Sequence, residues 1–142
     1  MAMNAIFRKD YAWNRPPRIE KLPVAASQAI ERGDVLVLSS GQLAVAGDGT
    51  GEVVGVAAQD SASQDAGTLI EVYVVTPTQV WEMVASADAS SIVRDGTSTY
   101  DLTSAQLVNV ADTTGGSLQV VDIDADDNTL IHVQFTVTYF GG

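Results

Sequence analysis

TLIHVQFTVTYF, residues 129–140, is the stretch that decides the fold class. From position 131 to position 139, apolar residues occupy the odd positions and polar residues occupy the even ones. The apolar set is Ile131, Val133, Phe135, Val137 and Tyr139. Successive side chains of a β-strand point to opposite faces, so this alternation predicts a strand with one buried face. We expect residues 129–140 to form the longest strand and an organising element of a sheet.

Short apolar runs separated by turn residues fill the rest of the chain from residue 24 onward. The turns are rich in Gly, Asp, Ser and Asn, which is typical of all-β domains. Within one run, at 52–58, Gly55 predicts a β-bulge or a close approach of two backbones. The runs predicted as strands are 35–38, 42–46, 52–58, 68–75, 78–84, 99–102, 106–110 and 117–123.

One short helix is predicted at residues 87–94, because Ser86 is a suitable N-cap and Gly96 follows the last turn. We find no long segment with helical periodicity. The sequence therefore predicts one all-β domain over residues 23–142, folded as a small barrel or sandwich. Residues 86–116 either complete that domain or form a small insertion lobe.

The composition excludes several classes of protein. The chain has 142 residues, the size of one domain, and a net charge of −11. It has no Cys and a single His, His132, so disulfides, thiolate chemistry and a multi-histidine metal site within one chain are excluded. It has no apolar run of the roughly 18 residues that a membrane span requires. We expect no secretory signal at residues 1–21.

The charge is divided unevenly along the chain. Residues 1–21 carry five basic and two acidic residues, a net charge of +3, whereas residues 22–142 have a net charge of −14. Phosphate binding needs a basic patch, so the acidic body argues against nucleic acid as its partner.

The N-terminal residues are predicted to be extended. Pro16 and Pro17 both lack an N–H group, and Pro17 forces the residue before it into extended geometry. The same segment holds three aromatic residues, Phe7, Tyr11 and Trp13, which a solvated tail would not need. We therefore predict residues 1–22 to be an extended arm that docks on a partner.

Three motifs suggest chemistry, but each has a simpler interpretation. The acidic run Asp122–Asp127 resembles the start of a calcium loop. An EF-hand would need Gly and Glu where Asp127 and Val133 stand, so we interpret the run as a solvated turn. The glycine-rich loop Gly47–Gly51 lacks the Lys and the following helix of a phosphate-binding loop. No G-x-S-x-G elbow accompanies His132. We predict no catalytic residue, no metal and no cofactor.

Two further features concern partners. Arg32-Gly33-Asp34 matches an adhesion tripeptide, but a turn before a strand is sufficient to explain it. Trp81 and Met83 lie two residues apart and therefore on the same face of the predicted strand 78–84. One face of that strand is core, and we predict Trp81 and Met83 as a candidate subunit interface.

The stretch from Ala29 to Val75 resembles the small β-barrel of tailed-phage capsid decoration (cement) proteins. The resemblance rests on four segments. They are IERGDVLV at 30–37, QLAVA at 42–46, VGVAA at 54–58 and GTLIEVYVV at 67–75. The segment DID at 122–124, which leads through a turn to VQF at 133–135, resembles the C-terminal part of some of those proteins. The resemblance covers about four-fifths of the chain.

This resemblance implies a β-barrel or β-tulip-like domain without catalytic residues. Such proteins sit as trimers at the three-fold and quasi-three-fold positions on the outer surface of an icosahedral head. There they cement the major capsid subunits and stabilise the expanded capsid. We therefore expect a non-enzymatic virion protein, made in the bacterial cytoplasm. Its expected partners are the major capsid protein and other copies of itself, with neither nucleic acid nor membrane. The arm residues expected to bind the capsid are Phe7, Arg8, Lys9, Tyr11, Trp13, Arg15 and Arg18.

Two alternatives from other classes stay open. The first is a carbohydrate-binding or adhesive β-module of a phage head fibre or tail, which would use Trp81, Tyr73 or Tyr100 as an exposed aromatic platform. The second is a hydrolase that depends on His132. Deletion of residues 1–21 is predicted to weaken capsid binding and leave the fold intact.

Overall fold

The computed structural model describes residues 5–12, 15–47, 52–62, 64–90, 92, 98–113 and 115–140. This part of the chain contains strands and no helix, which confirms the all-β prediction, and none of it forms a helix that could cross a membrane. The strands are β1 (Ile6–Asp10), β2 (Ile19–Pro23), β3 (Val35–Ser39), β4 (Gln42–Val45), β5 (Val53–Ala57), β6 (Leu69–Val74), β7 (Gln79–Ala85), β8 (Asp101–Ser104), β9 (Leu107–Asn109), β10 (Leu118–Ile123) and β11 (Leu130–Phe135).

The first sheet has five antiparallel strands in the order β2-β6-β5-β3-β4. It curls so far that its two end strands meet at a single bridge between Val24 and Leu43. A small core fills the concave side. It is contributed by strands of this sheet, by Val24 directly after β2, and by Ile30 in the segment between β2 and β3. Its buried members are Val24, Ile30, Leu36, Leu43, Val54, Ala57, Ile70 and Val72.

The second sheet has six strands, with β10-β11-β7-β9-β8 in order and β1 paired to β7. One edge of β7 pairs with β11, and β1 and β9 follow one another along its other edge. The ends of this sheet approach each other at a bridge between Tyr100 and Leu118. A larger core that includes Trp81, Met83 and Phe135 fills the space between the two sheets.

Strand β5 is buried along its whole length because it separates the two cores. Val53 and Val56 contribute to the larger core, while Val54 and Ala57 contribute to the smaller one. The sequence of a strand that is covered on both faces is a continuous apolar run, and VVGVA is such a run.

Gly55 lies at the point where β5 passes closest to β6. A Cβ atom at this position would overlap Cγ1 of Val72 and the carbonyl oxygen of Tyr73. The register of β5 against β3 also shifts next to Gly55, between Leu36 and Val37. Both the close approach and the bulge predicted from the sequence are therefore confirmed.

The sequence predicts a small barrel or sandwich, and the described strands do not form a closed barrel. The described residues form two curled sheets, and among these residues the end strands of each sheet meet at one bridge. The alternation of residues along a strand determines which side chains share a face. It does not determine into how many sheets the strands assemble. Within residues 86–116, β8 and β9 belong to the six-stranded sheet.

The predicted helix at 87–94 is not observed in the described residues 87–90 and 92, which form a turn. Asp88 Oδ1 accepts the backbone N–H of Ser90 at 2.8 Å. Short acidic side chains compete with helix formation by bonding nearby backbone groups in this way. The predicted residues 91, 93 and 94 lie outside the described part of the chain.

The last strand is shorter than predicted. The odd positions Ile131, Val133 and Phe135 are buried, as the alternation indicates, but β11 ends at Phe135. Beyond it the chain leaves the six-stranded sheet and bonds to β5 of the other sheet. The N–H of Val53 donates to the carbonyl of Val137 at 3.0 Å, and the N–H of Tyr139 donates to the carbonyl of Val53 at 2.9 Å.

Candidate functional surface

The N-terminal segment that the sequence predicts as an arm is extended, but both of its strands belong to the domain's own sheets. β1 pairs with β7, and β2 pairs with β6. The ring of Phe7 meets the ring of Trp81 edge-to-face, with centroids 5.6 Å apart. The described residues of this segment therefore display their side chains from fixed positions. Trp13 lies outside the described residues.

The predicted subunit interface at Trp81 and Met83 is wrong. Their exposed fractions are 1% and 0%, and both belong to the larger core of the same chain. The two residues do share a face of the strand. That face packs in the protein's own core, which alternation alone could not show. The aromatic residues that the adhesive alternative would use are not an exposed platform either. Tyr100 is also buried, and Tyr73 packs against the larger core.

A basic and aromatic surface forms where the N-terminal and C-terminal segments meet, beside the turn between β6 and β7. We call it the terminal face. It comprises the contacting pair Lys9 and Tyr11, and the group Arg15, Arg18, Tyr139 and Phe140 at or beside a cleft. Three of the predicted capsid-binding residues of the arm (Lys9, Tyr11 and Arg18) have a direct aromatic or cation–π contact on it.

The contacts within the terminal face connect both ends of the chain. The N–H of Tyr11 donates to the carbonyl of Thr78 at 3.0 Å, and Lys9 Nζ lies 5.0 Å from the centroid of the Tyr11 ring. The guanidinium of Arg18 lies 5.7 Å from the centroid of the Phe140 ring. That ring packs edge-to-face on Tyr139 at 5.1 Å. Aromatic rings and arginines are enriched at protein–protein interfaces.

A cleft of about 440 Å³ opens in the terminal face. Arg15, Arg18, the two prolines between them and Phe140 line it, together with Asp10. Asp10 is 8% exposed, and its Oδ1 accepts the N–H of Ala12 and the hydroxyl of Thr78. This carboxylate thus anchors the turn that follows β1, and the arginines supply the exposed charge.

The sequence pattern does not identify Tyr139 and Phe140 as surface residues. The alternating pattern predicts Tyr139 on the buried face, yet its side chain is 52% exposed. The pattern fails there because the chain has already left its sheet. The only signal in the sequence is the pair of aromatic residues at the end of the stretch.

Arg8, another predicted capsid-binding residue, does not line the cleft and is paired with a carboxylate of β7. Its Nη1 atom is 3.9 Å from Oε2 of Glu82, which also lies 3.2 Å from Nε2 of His132. These three side chains belong to the neighbouring strands β1, β7 and β11. The hydrogen-bond partner of His132 in the described structure is therefore a carboxylate on an adjacent strand.

The acidic turn at 122–127 uses its carboxylates to bond its own backbone. Asp124 Oδ1 accepts the N–H groups of Asp126 and Asp127, at 2.9 and 3.1 Å. Asp127 Oδ1 accepts the hydroxyl of Thr129 at 2.6 Å and its N–H at 2.9 Å. These hydrogen bonds, chiefly the one from the hydroxyl, lower the pKa of Asp127. No group of three or more potential metal-ligating side chains occurs in the residues that the structure describes.

The Arg32-Gly33-Asp34 turn is held by its own side chains. Asp34 is buried, and its carboxylate accepts the N–H of Glu31 at 2.9 Å and Nε2 of Gln106 at 2.6 Å. Arg32 Nε donates to the carbonyl of Ala58 at 3.0 Å. A wide groove of about 880 Å³ lies beside this turn, but its charged groups are largely bound to the chain itself. The terminal face is therefore the stronger candidate.

Comparison with models of protein families, with curated proteins and with solved structures finds no match for this chain. The function is accordingly inferred from the residues and the surfaces described above.

Proposed function

We propose that the protein is a structural virion protein that binds the outer surface of an icosahedral phage head. It sits as a trimer at three-fold and quasi-three-fold sites, cements the major capsid subunits and stabilises the expanded capsid. The observation that carries this proposal is the terminal face, a basic and aromatic surface on a protein whose net charge is −11. The resemblance of residues 29–75 to decoration proteins supplies the class of partner.

The terminal face has the chemistry of a protein-binding surface. Tyr11 is 59% exposed, and Ile19, at the start of β2, is half exposed beside Arg18. Such exposed apolar side chains, with arginines around them, mark interaction sites on soluble proteins. The basic groups favour an acidic capsid surface and speed the encounter with it.

A preformed surface suits this role energetically. The two terminal segments are fixed by β1, β2 and the hydrogen bonds of Val53, so little conformational entropy remains to be lost on binding. Three such faces on one trimer would add their contributions by avidity, even if each one binds weakly. The acidic remainder of each copy would repel its neighbours and keep the protein soluble at high local density.

The cementing role is tested by heating expanded, undecorated heads with and without the purified protein. Binding across several capsid subunits should raise the temperature at which the heads disassemble, because the ligand binds the intact state preferentially. A disassembly temperature that is unchanged at saturating protein would contradict the cementing role. Purified tail or fibre components serve as the control substrate, since an adhesive module would prefer those.

A further inference from the structure

We propose that Arg18, stacked on Phe140, is a preformed receptor for one carboxylate side chain, Asp or Glu, of the partner protein. The capsid as partner rests on the proposed function, whereas the chemistry of the receptor rests on this chain alone. Arg18 is then the residue of the terminal face that contributes most to binding. It also makes the affinity depend on a negative charge of the partner.

The backbone of Arg18 is held in place on both sides. Its carbonyl accepts the N–H of Val74 at 2.8 Å, which extends the β2–β6 ladder by one residue. Pro17 precedes it and fixes its own φ near −65°. The arginine therefore projects from the rigid end of a strand.

The Phe140 ring, which lies against the guanidinium, is held in place as firmly as the backbone of Arg18. The hydroxyl of Thr138 donates to the carbonyl of Phe140 at 2.8 Å, and the Tyr139 ring packs against the Phe140 ring. Phe140 also packs against the smaller core. A guanidinium that lies on an aromatic face loses less side-chain freedom when it binds a carboxylate.

Arg18 keeps donors available for a partner. Its side chain is 62% exposed, and its Nε pairs with Oε1 of Glu20 at 3.0 Å. Among the described residues the guanidinium has no other ion pair or hydrogen bond, so the two terminal NH₂ groups face solvent and the cleft. Paired donors of this kind bind a carboxylate in a bidentate fork, which Lys cannot reproduce.

The surroundings select a single negative charge rather than a polyanion. The carboxylates of Asp10 and Glu20 lie at the same cleft or beside it, and residues 22–142 have a net charge of −14. A nucleic acid would bring many phosphates against this field. One Asp or Glu on a protein surface meets Arg18 without that repulsion.

The first test compares the affinity of variants for expanded heads by co-sedimentation. Arg18→Lys keeps the charge but loses the fork, and we expect binding about tenfold weaker. Phe140→Leu keeps an apolar side chain but removes the ring face, and it should also weaken binding, by about threefold. The matched control is Arg32→Lys, which is the same substitution at an arginine that does not line the cleft and is not among the arm residues expected to bind the capsid; it should bind within about twofold of the native chain. Arg18→Lys binding as tightly as the control would overturn the proposal.

A second test does not depend on the capsid. N-acetyl-L-glutamate N-methylamide, which carries a single carboxylate, is titrated into the isotopically labelled protein while the Arg Nε–H signals are followed by NMR. The Arg18 signal should shift selectively over that of Arg8, and Glu20→Gln should enlarge the shift because it removes the internal competitor. Equal shifts at the two arginines, no shift at either, or an equal effect of duplex DNA would each overturn the receptor. A selective shift without binding to heads would leave the receptor standing and refute the proposed function.

Discussion

Phe7 and Trp81 pack edge-to-face, with their ring centroids 5.6 Å apart and their planes at 74°. Trp81 lies in the larger core, so this contact ties the N-terminal strand to the centre of the six-stranded sheet. The segment that the sequence marks as an arm is therefore part of the fold. Its basic residues Arg8, Lys9, Arg18 and Lys21 lie in β1 or β2 or directly beside them.

Replacing Phe7 with Ala should lower the free energy of unfolding by about 2 kcal/mol. The substitution removes an aromatic pair and part of the packing over Trp81. Urea unfolding followed by tryptophan fluorescence measures the change. Tyr11→Ala is the matched control, since Tyr11 is exposed in the same segment, and it should change stability by less than about 0.5 kcal/mol. Equal stability of the two variants would refute the structural role of Phe7.

Deleting residues 1–21 should abolish cooperative unfolding. The sequence alone predicts that this deletion spares the fold. In the structure it removes all of β1 and most of β2, and it uncovers edges of β7 and β6. Thermal unfolding followed by circular dichroism checks this expectation. A truncated protein that melts with the native midpoint would show that the N-terminal strands are dispensable.

Gly55→Ala should destabilise the fold by about 2 kcal/mol, because the new methyl group would overlap Val72 and the backbone of Tyr73. Chemical denaturation provides the measurement. Gly47→Ala is the control. A Cβ at Gly47 meets no atom within 4 Å, so its effect should stay below about 0.5 kcal/mol. Similar losses in the two variants would argue against a tight contact between β5 and β6.

Asp127→Asn should reduce stability at neutral pH and lose its effect in acid. The hydrogen bonds from Thr129 lower the pKa of Asp127 below its usual 3.8, so they favour the charged form in the folded state. Their contribution is therefore present above about pH 3.8 and is lost as the pH falls through the folded-state pKa. Unfolding measured from pH 7 down to about pH 2 tests this sign. A stability difference from the native chain that persists unchanged at the lowest pH would contradict it, and Asp126→Asn serves as the neighbouring control.

The sequence predicts individual strands better than it predicts their partners. Gly55 and the buried positions 131, 133 and 135 follow from local rules about backbone space and alternation. The pairing of β1 with β7 joins residues about 70 positions apart, and no local pattern encodes it. For the same reason, alternation placed Trp81 and Met83 on one face without showing which core covers that face.

Only the N-terminal part of the terminal face can be predicted from the sequence. The excess of basic and aromatic residues before residue 22 identifies its N-terminal part, including Lys9 and Arg18. Its C-terminal part depends on the crossing of the chain after Phe135, which brings Phe140 beneath Arg18. That crossing interrupts a pattern which otherwise predicts a continuous strand, so only the tertiary structure reveals the complete surface.

Co-sedimentation of the purified chain with expanded, undecorated heads of the phage proposed to encode it tests the central claim most directly. The account predicts saturable binding at a fixed ratio to the major capsid protein that corresponds to three-fold sites. Binding should also weaken as salt is raised, because the terminal face is basic. No binding at micromolar concentration, or binding that never saturates, would contradict the account.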